Sequence, residues 1–77
     1  MVDSETLLET ARSFDLNQAL YATSEDPARK EVRTGALLRY IQQVYQVDFG
    51  AARDLLNVLV QIGSLRISSF TTVRFML

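Results

Sequence analysis

Seventy-seven residues, 48% hydrophobic and 22% charged, describe one small globular domain with no room for a second core. Cysteine and histidine are both absent, which excludes a disulfide scaffold, a zinc finger, thiol catalysis and any mechanism needing an imidazole base or ligand. The formal net charge of −1 hides a split: residues 1–26 carry six acids against Arg12, whereas residues 27–77 carry seven bases, six of them arginine, against three acids. That asymmetry reads either as a binding face or as the chance placement of few charges. The arginine excess suits phosphate recognition and equally follows from a GC-rich genome. No apolar run nears the ~18–20 residues of a membrane span, and the start MVDSETLLET lacks the basic region of a signal peptide. The expectation is a cytoplasmic protein without a membrane partner.

The first predicted helix covers Ser4–Phe14, with Ser4 as its cap, Glu5 in its first turn, and Leu7, Ala11 and Phe14 on one face. Asp15 reads as a second cap, followed either by a short helix over Leu16–Tyr21 or by a kinked continuation of the first. Leu7, Leu8, Phe14, Leu16, Leu20 and Tyr21 exceed what one small core needs, so they form either a dimer seam or a lid on the chain's own core. Thr23–Pro27 is a loop, and Asp26 before Pro27 predicts a helical start over Pro27–Arg33. Ala28 and Val32 point away from the apolar face that follows, which predicts a break near Thr34–Gly35.

Thr34 then caps a helix over Gly35–Gln46, with Leu37, Leu38, Tyr40, Ile41, Val44 and Tyr45 as its apolar arc. Asp48 caps the next helix, Phe49–Ile62, which Gly63 ends. Its apolar arc is wide (Phe49, Ala52, Leu55, Leu56, Leu59, Val60, Ile62), and its polar stripe is Arg53, Asp54, Asn57 and Gln61. After Gly63 the period drops from 3.6 to 2. Leu65 and Ile67, then Val73, Phe75 and Leu77, alternate with polar residues, which predicts a hairpin turning at Ser69–Thr71.

Helix, tight turn, helix, hairpin, with the stretch Leu55–Leu65 of paired leucines, a further apolar pair and a glycine end, resembles a winged helix-turn-helix over residues 34–77. The fold expectation is therefore α+β: a small winged helix-turn-helix of three or four helices followed by a C-terminal β-hairpin. It forms one domain over residues 1–77, with an acidic helical part at 1–26. The resemblance implies that residues 50–62 enter a major groove while the wing touches the backbone. The tip Ser68–Thr72 departs from the pattern in lacking lysine, arginine or glycine, and Asp54 departs from it in lying on the recognition stripe.

Arg53, Asn57 and Gln61 stand at i, i+4 and i+8, and these residue types read guanine and adenine edges. Arg29, Lys30, Arg33, Arg39, Arg66 and Arg74 are candidate phosphate contacts. Phe70, at the hairpin tip, is either an anchor for a partner or groove, or folds back onto its own core. No carboxylate pair, glycine-rich loop or calcium-loop spacing supports catalysis, a cofactor or a metal. The functional expectation is a non-enzymatic, homodimeric regulator of transcription or replication that binds double-stranded DNA. The alternative is a protein–protein interaction or assembly module on the same frame.

Overall fold

In the computed structural model, residues 4–77 are described. Helix α1 (Ser4–Ser13) is followed by α2 (Leu16–Thr23), a single 3₁₀ turn over Pro27–Arg29, β1 (Glu31–Arg33), α3 (Thr34–Tyr45), α4 (Phe49–Gln61) and the hairpin strands β2 (Leu65–Ile67) and β3 (Thr72–Phe75). The architecture is α+β, with four helices packed on a three-stranded antiparallel sheet ordered β1-β3-β2. Among the described residues no helix is long and apolar enough to cross a membrane.

Local chemistry sets most boundaries. Asp15 accepts a hydrogen bond from Gln18 N at 3.0 Å, so α2 is a separately capped helix rather than a kinked extension of α1. Whether the Ser4 side chain caps α1 lies outside the described residues. Asp48 Oδ1 accepts from Ala51 N at 2.8 Å and starts α4. At the other end of α4, Gly63 N donates to Val60 O and Ser64 N to Leu59 O. This paired closure needs a left-handed residue, and Gly63 supplies it at φ 86°.

The expected helical start over Pro27–Arg33 is corrected. Asp26 does cap one turn, accepting from Ala28 N, but Lys30 then turns left-handed at φ 57° and ends it. Glu31–Arg33 leaves as a strand, with Val32 paired to Val73 and buried. Phe75 N donates to Lys30 O at 2.7 Å and Thr34 N to Thr71 O at 2.9 Å, closing both ends of the ladder. The hairpin is thus part of a larger sheet. Thr34 is the first helical residue of α3, not its cap; Arg33 holds the cap position without a side-chain bond. Helix α3 stops one residue early because Gln46 adopts φ 53°.

One cluster joins every layer: Ala11 and Phe14 from the α1 side, Leu20 from α2, Leu37 and Ile41 from α3, Leu55 and Leu59 from α4, and Val32, Leu65, Val73 and Phe75 from the sheet. Val44, expected in this packing, is 53% exposed, and Phe49, Tyr45 and Ile62 are exposed as well. Strands of three or four residues span about 10–13 Å, whereas the 12 residues of α3 extend about 18 Å. The sheet alone cannot cover that length, and beside the α3–α4 turn Val44 and Phe49 are left exposed while Tyr45 is covered on one side by Phe14. Ile67, paired with the buried Val73, has the inward parity expected of it yet is exposed, and Leu77, past the end of β3, is exposed as well. Of the surplus N-terminal apolar residues, Phe14 and Leu20 are buried, and Leu7 and Leu16 pack against the core.

Phe14 stacks on Tyr45 (centroids 6.1 Å apart) and meets Tyr40 edge-on at 6.3 Å. Partial burial, helped by the neighbouring Tyr40 and the Asp15 carboxylate, holds the Tyr45 phenol above its ordinary value of 10.0. The fold therefore prefers the neutral phenol.

Leu59, fully buried between the helices and the sheet, sets the first expected outcome. Leu59→Ala should cost about 2–5 kcal/mol in chemical denaturation, a large share of the about 5–15 kcal/mol that holds a domain folded. The second concerns alkali. The Tyr45 contribution is complete below the unfolded value of 10.0 and is lost as pH rises through the higher folded value. Unfolding curves at about pH 9 and pH 11 should show Tyr45→Phe losing less stability between the two than the parent does.

Candidate functional site

Burial of Ala52, Leu55, Leu56 and Leu59 fixes the rotation of α4 about its axis. That rotation leaves Arg53, Asn57 and Gln61 exposed together on one strip. Eight residues of helix separate the first from the last, a run of about 12 Å, comparable to the ≈ 12 Å width of a major groove. Asp54 is exposed beside them, and Phe49, one turn before Arg53, extends the strip with an exposed ring. Helical periodicity places Phe49 inward, because it shows which side of α4 faces the core and not whether the first turn is covered; Phe49, in that turn, is exposed.

The outer face of the sheet carries the second group. Pairing places Glu31 opposite Arg74 and Arg74 opposite Arg66, so the three form one row across all three strands. The next row holds Arg33 opposite Thr72. All three arginines are exposed. Like charges directly opposed on adjacent strands are destabilising by roughly 0.2–1 kcal/mol, a cost that Glu31 offsets from one side only.

The hairpin tip is tied by its own hydroxyls. Ser68 N and Ser69 N both donate to Thr72 O, and Thr72 Oγ1 bonds to both serine hydroxyls. The link from Thr34 N to Thr71 O anchors this tip to the start of α3. Phe70 is 102% exposed, which corrects the reading that folds it back; the hydroxyl ties fix the loop with the ring outside. The run Ser-Ser-Phe-Thr-Thr was the visible signal for such a tie.

The remaining candidates are dispersed. Arg39 is exposed on α3. Lys30 Nζ donates to Leu77 O at 3.3 Å. Arg29 lines an open cleft of about 400 Å³ beside β1, together with Arg33 but also with Glu25, Asp26 and Glu31. Acids outnumber bases in that cleft, so it offers an anion no net attraction. The structure thus groups Arg53, Asn57 and Gln61 on α4 and Arg33, Arg66 and Arg74 on the sheet; Arg29 shares the acidic cleft with Arg33, and Lys30 and Arg39 join neither group. No protein-family model, curated protein or solved structure matches the chain.

Proposed function

We propose that the chain is a small cytoplasmic winged helix-turn-helix regulator of transcription or replication that binds double-stranded DNA. Helix α4 is the reading helix and the sheet arginines are its phosphate contacts. The observation that carries this reading is the α4 strip: three side chains suited to base edges, all exposed, on a helix whose opposite face is locked in the core. The order α3, tight turn, α4, hairpin supports the winged-helix frame. Arg33, Arg66 and Arg74, gathered on one sheet face, supply sequence-independent attraction.

The regulator is proposed as a homodimer. With Phe14 and Leu20 committed to the core, the exposed apolar side chains left for a seam include Tyr21 on α2, Ile67 on β2, and a corner formed by Val44 and Phe49 beside the α3–α4 turn. The same exposed corner favours the alternative reading, a protein-interaction or assembly module on this frame.

Titration against mixed-sequence duplexes at about 50 and 200 mM salt tests the first reading, since phosphate-driven binding falls steeply over that range. Arg53→Ala should cost about 1–3 kcal/mol and relax preference at one base position. Arg74→Ala should weaken all duplexes alike and lower the salt slope by about one. No salt-dependent binding at about 50 mM overturns the reading in favour of the interaction module. Sedimentation at high micromolar concentration should show a dimer; a monomer removes that part of the proposal.

A further inference from the structure

We infer that Phe70 is a wedge that enters the minor groove of the duplex and partly unstacks a base step, an inference that rests on the DNA reading above. Its ring is fully exposed, and its placement is built into the hairpin. The tip hydroxyls of Ser68, Ser69 and Thr72 bond to one another, and Thr71 O is held by the backbone of α3, so the loop that presents Phe70 is braced at its base.

The surroundings of Phe70 select the occupant. An anchor for a protein partner sits among other apolar side chains that exclude water around it. In the chain Phe70 is flanked by Ser68, Ser69, Thr71 and Thr72, and the next exposed apolar side chain of the hairpin is Ile67, on β2 and outside the hydroxyl-tied tip. Four residues away, no more than about 13 Å along an extended strand, the opposed Arg66 and Arg74 give the same hairpin a cationic face. The matching partner has anionic walls, a slot narrow enough to take a single ring, and apolar faces that are exposed when two stacked layers part. A minor groove about 6 Å wide, lined by phosphates, has that form, and apolar side chains that enter it kink the duplex. The absence of lysine and arginine from the tip fits a wedge, because the charge that draws in the phosphates stands lower on the hairpin.

The test uses the full chain and a duplex of about 25 base pairs containing TA steps, which unstack most readily. Affinity is measured across salt concentrations, and bending by energy transfer between dyes on the two duplex ends. Phe70→Ala should melt like the parent, bind about ten-fold more weakly, leave the salt slope unchanged and abolish the bend. Phe70→Trp should retain the bend and lose indole emission on binding. Parent-like affinity and bending in Phe70→Ala overturn the wedge and leave the DNA reading standing, as does a lower melting temperature, which would show the ring packed on its own chain. Failure of the parent to bind any duplex overturns both. In that case a change in Phe70→Trp emission on adding an acidic polypeptide assigns the ring to a protein partner.

Discussion

The pairing of Glu31–Arg33 with Thr72–Phe75 is the constraint on which the rest of the molecule depends. It joins segments some 40 residues apart, so it carries a loop-closure cost that local helix formation does not. Val32 against Val73, with backbone bonds closing the ladder at Lys30 and Thr34, offsets that cost. Once formed, it leaves α3 and α4 inside the closed loop, with one apolar face each and one place to bury it. The strip on α4 and the arginine row on the sheet are consequences of that closure, since neither has a defined orientation until Leu59 and Phe75 share a core.

The surface shows a conflict between stability and charge placement. Opposed arginines on neighbouring strands, an exposed phenylalanine at the hairpin tip and an exposed phenylalanine at the start of α4 each work against a stable isolated domain. Departures of this kind gather where a protein meets something else. The interior shows none: no buried side-chain nitrogen or oxygen among the described residues lacks a partner.

Elements with chemical punctuation were legible in the sequence. Asp15, Asp26 and Asp48 each cap the turn that follows, and Gly63 ends α4 where its backbone freedom is required. The strand β1 was not legible, because three residues with one inward valine carry no periodicity and their partner lies far along the chain. The sequence reading did register that Val32 opposed the next apolar face, and the break it predicted falls where β1 meets α3. At the site, the Arg53, Asn57 and Gln61 strip could be read from spacing alone. The gathering of Arg33 with Arg66 and Arg74 depends on sheet register, which no local pattern encodes. Val44 and Phe49 were misplaced because an apolar arc records which side of a helix faces inward, not how far along the helix the cover extends.

The end of α4 has one more consequence. Between its last helical turn and β2 there is no linker to bend: Gly63 N and Ser64 N are both tied back to the helix, and Ser64 O accepts from Met76 N across the hairpin. Helix α4 and the base of the hairpin are therefore hydrogen-bonded into one piece. On the proposed reading, the protein cannot adjust its grip to a duplex of the wrong pitch or groove width, so the DNA must conform to it. Selectivity then comes partly from how readily a given stretch of duplex deforms, and it would survive even where no side chain touches a base.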